Sequence, residues 1–264
     1  MNVVLAARSA DKLDSFANEL GQAGVTALAV PTDVEDTAAL EHLVAHSVGR
    51  FGTIDVLVNN AGIETYYPFE ELDVGAIVQT IGVNLTAAII LTRLAMPHML
   101  EAGRGHVVNM SSTAGKFGPA YGAAYGASKA GLVAFTETLR GEFHGTGISA
   151  SVLCPGFTND GGIYERIKQG IGKGTPPQMG ATSADAVARA VIKAIRRDIP
   201  EMLINVPPMR PALVLSAIAP RLGQWCARKA SARFLKKVAF SRHKVDLDDV
   251  GASVRLNGVR KKSA

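Results

Sequence analysis

Cysteine is nearly absent: Cys154 and Cys226 are the only two in 264 residues, which excludes a disulfide framework and leaves no metal-ligand spacing. So few thiols lead us to expect a reduced, cytoplasmic setting. Aromatic residues are 6% and charged residues 19%, against 47% hydrophobic, an ordinary globular balance that leans apolar. Long apolar runs are missing too. VVLAA (Val3 to Ala7) is far too short for a cleavable signal, and PALVLSAIAP (Pro211 to Pro220) falls well short of the ~20 residues that cross a bilayer. There is no internal repeat and no low-complexity tract.

What is present suits one large α/β domain, for which a single core is affordable at this length. The net charge of +5 is unevenly placed. From Met209 to Ala264 there are 13 Lys+Arg and 3 Asp+Glu, so +10, and the remainder carries −5. A basic tail on an acidic body argues against a nucleic-acid-binding core, which would carry a basic face on the folded domain.

Strand and helix patterns alternate strictly. Asn2 to Ala7 reads as a strand, Ala10 to Gln22 as a helix, Val25 to Val30 as a strand and Asp36 to Phe51 as a helix. Asp55 to Val58 is a third strand, and a helix follows over Asp73 to Glu101, broken near Gly82. Further strands fall at His106 to Met110, Ile148 to Leu153 and Glu201 to Val206. Alternation of this kind predicts a doubly wound parallel sheet, Rossmann-like, with right-handed helical crossovers.

The chemistry gathers around YGAAYGASKAGL. Tyr125 and Lys129 stand four apart in a helix-compatible segment, so they share one face a turn apart, and Ser112 lies thirteen residues upstream where an apolar strand gives way to a loop. Open α/β sheets place their sites at such strand ends. A cation beside a phenol is expected to lower its pKa, and a phenol so tuned exchanges a proton with a carbonyl or an alcohol.

With NNAG (Asn59 to Gly62), Asn84 in GVNL, Ser112, YGASK (Tyr125 to Lys129) and Pro155-Gly156 in this order, the chain resembles the short-chain dehydrogenase/reductase family from about Asn2 to Val206. The resemblance implies an oxidoreductase that moves a hydride between a nicotinamide dinucleotide and a carbonyl or secondary alcohol. Tyr125 would be its general acid/base, and Lys129 the holder of the nicotinamide ribose. Ser112 would bond the substrate oxygen, and Asn84 would anchor a relay water. Implied cofactor contacts are Arg8, Ser9, Asp33, Val34, Asn60, Ala61, Gly62, Tyr125, Lys129, Pro155 and Gly156. Position 7 is Ala rather than an acid and position 8 is Arg, which favours the 2′-phosphate of NADP(H) over NAD(H). Family members commonly pair their Asn84 and Tyr125 helices in a homo-oligomer.

One part of the family pattern is absent. The nucleotide fold opens with a strand, a Gly-rich turn and a helix N-terminus that receives the pyrophosphate. This sequence opens on what reads as the second strand. In the family's order, 3-2-1-4-5-6-7, the first and third strands seen here would flank a gap. Unpaired backbone there would cost about 1–3 kcal/mol per buried group. We expect that about 25–35 residues, one strand with its turn and helix, are missing upstream; the alternatives are a poorly folded fragment, or direct pairing across the gap. GIGKG (Gly170 to Gly174) reads as a loop, not a phosphate cradle.

Residues 157–182 read as a substrate lid, with Ile163, Tyr164 and Ile167 as candidate contacts; Asn159-Asp160 stand where the family often has a cofactor-binding Thr. We place the catalytic domain at 1–207 and a basic amphipathic extension at 208–264, unstructured from about Ser241. In the extension Leu222, Trp225, Cys226, Phe234, Leu235 and Val238 alternate with Arg and Lys at helical spacing. Such a helix lies on a membrane surface, binds a partner, or packs on the body or a second subunit. His42 and His46 are an i,i+4 pair without a third ligand and read as a solvated helix face. Substrates with a lipid-like or steroid-like carbonyl suit the apolar tail and long lid. The competing reading is a non-catalytic or membrane-peripheral binding protein on a degraded version of the same fold.

Overall fold

A computed structural model describes the backbone of residues 1–158, 175–176 and 179–256, with side chains as far as Phe240. In chain order the elements are β1 (Val3–Ala7), α1 (Ala10–Gln22), β2 (Ala27–Pro31), α2 (Thr37–Phe51) and β3 (Val56–Asn59). There follow α3 (Val74–Ile81), α4 (Ala87–Ala102), β4 (Gly105–Met110), α5 (Ala123–Glu142) and β5 (Ile148–Pro155). The last are α6 (Ala184–Arg197), β6 (Glu201–Ile204), α7 (Arg210–Ile218) and α8 (Pro220–Leu256).

Local signals set the helix starts. Asp36 and Asp73 accept the backbone N–H groups of Ala38 and Ala76, and Ser183 accepts that of Ala186. Gly52 closes α2 at φ 82°, a left-handed conformation that costs glycine nothing. The central strands are apolar on both faces because helices cover both: Val107, Val108, Val152 and Leu153 are 0–1% exposed.

All strand pairs are parallel, in two separate sheets: β1 with β2, and β3-β4-β5-β6. The order β2-β1, then β3-β4-β5-β6, reproduces the expected topology. The break falls between β1 and β3, where a gap is expected. Direct pairing across it does not occur: among the described residues β1 has β2 as its strand partner and β3 has β4. The cavity between the sheets is lined by Val3 to Ala6 on one side and Asp55 to Val58 on the other. The small sheet is joined to the rest through α2, which packs on α4.

The helix expected over Asp73 to Glu101 is indeed broken near Gly82. The break is a π-helical turn, Gly82–Thr86, between α3 and α4. By length and composition Val74–Ala102 could cross a membrane, but Thr80, Asn84, Thr92, Ala95 and Met99 are buried against the body.

Phe234, Leu235, Val238 and Ala239 are buried, while Leu222, Trp225 and Cys226 are exposed. The buried half of the stripe packs on the catalytic body rather than facing a lipid surface. Helical backbone continues to Leu256, beyond Ser241 where irregular chain is expected.

Candidate active site

The carboxyl ends of β3, β4 and β5 open onto one cavity of about 2100 Å³. Asn60, Ala61, Gly62, Ser112, Tyr125, Lys129, Pro155 and Gly156 all line it. Asn84 sits just behind, 1% exposed. Its Oδ1 accepts the Ile63 N–H at 2.8 Å, and its Nδ2 donates to the Ile63 carbonyl at 2.8 Å and to Ser128 Oγ at 3.1 Å. In this structure Asn84 therefore fastens the loop after β3 to α5. The π turn makes that reach possible by rotating one residue out of the α-helical register, as such turns often do at functional sites.

Ser112 accepts the Ala114 N–H at 3.1 Å and donates to the Pro155 carbonyl at 3.4 Å, and its hydroxyl neighbours that of Tyr125. Lys129, 3% exposed, donates from Nζ to the Met110 carbonyl at 2.8 Å and lies 5.9 Å from the centroid of the Tyr125 ring. Ser111 Oγ donates to the Lys129 carbonyl at 2.7 Å, holding α5 against the end of β4.

These contacts do not produce the expected acidified phenol. Burial pushes Tyr125 up to about 12, the neighbouring Ser112 hydroxyl pulls it back in part, and Glu64 raises it. Lys129 is pulled down to about 8, again by burial, against the opposing influence of Cys154. Desolvation penalises both charged forms more than the neighbours reward them, and the ammonium is directed at a backbone carbonyl rather than at the phenol oxygen. The site thus holds a protonated phenol beside a hydroxyl, a proton donor for an oxygen lying against both.

Several participants carry no legible motif. Tyr66, 5% exposed, stacks obliquely 5.9 Å from the Tyr125 ring, and burial, Tyr125 and Glu64 hold its phenol above the ordinary value. Its signal was the aromatic pair Tyr66-Tyr67 before Pro68, in a loop otherwise poor in large apolar residues. Tyr67 N–H donates to the Tyr121 carbonyl at 2.7 Å, and Tyr121 itself sits at φ 65°, an uncommon conformation for an aromatic residue. Gly115 is forced by packing: a Cβ would stand 2.6 Å from the Lys129 backbone. Phe234 and Leu235 of α8 join Tyr66, Ala114 and Tyr125 in one buried cluster.

The remaining expected residues lie elsewhere. Arg8 and Ser9 follow β1, and Asp33 and Val34 follow β2, side by side because Thr32 N–H bonds the Ala7 carbonyl at 2.9 Å. They form a second cluster on the small sheet, outside the lining of the cavity. Asp33 Oδ1 accepts the Glu35 N–H. Asn159, Asp160, Ile163, Tyr164, Ile167 and GIGKG lie outside the described residues. His42 and His46 stack at 5.4 Å on the exposed face of α2. Cys154 is buried and its thiol is pushed up to about 12 by burial, so it is a poor nucleophile.

The residues present fit the nicotinamide half of a dinucleotide. At Gly62 a Cβ would lie 3.2 Å from Asn84 Oδ1 and 3.3 Å from Lys129 Nζ, so only glycine leaves this edge open. Beside Gly156, Asn205 Oδ1 is buried and has no hydrogen-bond partner among the described residues, an acceptor suited to a carboxamide.

A parallel α/β sheet that carries serine, tyrosine and lysine at its carboxyl edge around such a cleft is the frame of a dinucleotide-dependent oxidoreductase. The family model described as short chain dehydrogenase matches residues 1–172, and the chain belongs to that family, NAD(P)-dependent oxidoreductases of CH–OH groups. The ketoacyl reductase HetN of Nostoc is 39% identical over 217 residues, which is 82% of this chain and 74% of that protein. An actinorhodin polyketide ketoreductase solved with NADPH superposes with a TM-score of 0.67 at 31% identity, over 77% of this chain and 85% of its own. A metagenomic short-chain oxidoreductase in complex with NADP gives 0.63 at 30% identity, with the same coverage.

Proposed function

We propose that the chain is an NADP(H)-dependent reductase of an apolar ketone, with Tyr125 as proton donor. The carrying observation is that Ser112, Tyr125 and buried Lys129 line one cavity wall, with Lys129 Nζ fixed on the Met110 carbonyl. A phenol that keeps its proton to about pH 12 is in the form that reduction requires, because the substrate oxygen must gain a proton. The carbonyl oxygen lies against both hydroxyls; Ser112 steadies the developing negative charge while Tyr125 gives up its proton. The Lys129 charge then favours the phenolate that remains. When bound, the nicotinamide supplies the hydride. Gly62, Lys129, Pro155 and Gly156 would hold that half of the cofactor, Arg8 with Ser9 the 2′-phosphate, and Asp33 with Val34 the adenine. NADP(H) is favoured by Arg8 following Ala7, and by the NADPH and NADP complexes among the similar structures. Asn84 supports the relay by holding the Ile63 loop. The free thiols of Cys154 and Cys226 suit a cytoplasmic enzyme, and exposed Val74, Val78 and Ile89 suit self-association.

Replacing Tyr125 by Phe tests this reading. Ketone reduction is expected to fall by at least about a hundredfold, while the NADPH titration followed by nicotinamide fluorescence stays within about twofold of the parent. Full turnover in that variant would remove Tyr125 from the chemistry.

A second reading, a non-catalytic binding protein, is favoured by the divided sheet. The same titration separates the two: a chain that gives no saturable response to NADPH is not the reductase.

A further inference from the structure

The tail helix forms the wall opposite the proton donor, and its inner face changes character along its length. Phe234, Leu235 and Val238, on one helical stripe, are buried against Tyr66, Ala114 and Tyr125. Phe234 meets Phe157 edge to face at 5.9 Å, and Phe240 meets Tyr121 in the same way at 6.2 Å. These aromatic contacts seat α8 across the mouth of the site. One to three turns earlier the same stripe is made of small residues: Gly223, Ala227, Ala230 and Ser231 all line the cavity that Ser112 and Tyr125 line. Ala212 and Leu215 of α7 line it too. The two helices cross closely, because a Cβ at Gly223 would stand 2.5 Å from the Ser216 Cα. Large side chains anchor the helix beside Tyr125, and small ones leave room beyond it.

Polarity identifies what the room takes. None of these six lining positions is charged, whereas Arg228, Lys229, Arg233, Lys236 and Lys237 are exposed on the outer face of α8. A charged group set against these six positions would lose hydration and find no opposite charge among them, while methylene groups would leave water for apolar walls.

We propose that the groove between α7 and α8 binds an extended, uncharged alkyl chain attached to the carbonyl that Tyr125 protonates. Ala227, Ala230 and Ser231 thereby set the permitted chain length and bulk. The inference rests on the reductase reading and deepens it by naming the substrate class. It assigns the tail to substrate selection instead of to a membrane.

The test compares NADPH-dependent reduction of 2-butanone and 2-decanone by the full chain, its Ala227→Trp and Ala230→Leu variants, and Arg228→Gln on the outer face. In the two groove variants the 2-decanone to 2-butanone ratio of kcat/KM is expected to fall at least about tenfold. Arg228→Gln is expected to keep the parent ratio. An unchanged ratio in both groove variants, with NADPH affinity and thermal midpoint near those of the parent, overturns the proposal. If the parent reduces neither ketone, the reductase reading fails, and the groove is read by calorimetric titration of 2-decanone into the NADPH-mixed protein. There Ala227→Trp should weaken binding about tenfold, and equal affinities for parent and variant overturn the groove assignment by themselves.

Discussion

Lys129 shows what a single charge meets when it is taken out of water. Its ammonium is almost fully enclosed, has one hydrogen bond to Met110, and has its pKa pulled from 10.5 to about 8. A group whose folded pKa is depressed below its unfolded value penalises the charged form in the native state. For this lysine the penalty is fully present below pH about 8 and is relieved as pH rises toward 10.5, where the unfolded chain still binds the proton. Lys129→Met should therefore stabilise the fold by about 1–2 kcal/mol in urea unfolding at pH 7, the relief of up to about 3 being offset by the orphaned Met110 carbonyl. The same variant should lose reductase activity. In the parent, ketone reduction should decline as pH rises through about 8 while the Tyr125 phenol stays protonated. A flat profile between pH 7 and 10 would separate the lysine charge from catalysis.

At the scale of one element, the π turn between α3 and α4 carries the most consequence. Asn84 uses both polar atoms of its amide to hold Ile63 and Ser128, so it ties together the loop after β3, the turn itself and α5. Replacing it with Ala removes three buried hydrogen bonds and should destabilise the protein by about 2–4 kcal/mol. Denaturant unfolding should show this loss even where NADPH is absent, and a change below 0.5 kcal/mol on the order of surface substitutions would mean that water replaces the amide. A break near Gly82 was legible, since glycine and asparagine are both weak helix residues. That the break is π-helical was not, because the extra residue per turn is selected by what Asn84 reaches across the fold. The tail was half legible for a similar reason. Helical spacing marked a stripe, but the same apolar pattern fits a lipid surface, a partner or the body, and only contact with Tyr66 and Tyr125 chose the body.

At the scale of the molecule, the divided sheet sets how stability is distributed. β4 and β5 lie inside a four-stranded sheet with both faces covered, whereas β1 and β2 pair with each other alone and meet the rest through α2 and α4. Val3, Val4 and Leu5 are only partly buried. Native-state hydrogen exchange should give amides of β1 and β2 protection at least about tenfold lower than those of β4 and β5. Uniform protection would show that the small sheet opens only with the whole. The two clusters of expected cofactor residues sit on different sheets, so affinity for NADPH also reports how firmly the small sheet is held.

The strand and helix order, the parallel topology with its break between β1 and β3, and the Ser112, Tyr125 and Lys129 constellation were written in the chain itself. Each depends on local periodicity or on short spacings, which act through nearest neighbours. Tertiary structure decided the rest. It chose the protonation states, because desolvation depends on everything packed around a group. It placed Tyr66 and Asn205 in the site, and it laid α8 over the proton donor. Those outcomes come from burial against residues distant in sequence, and no window along the chain contains them.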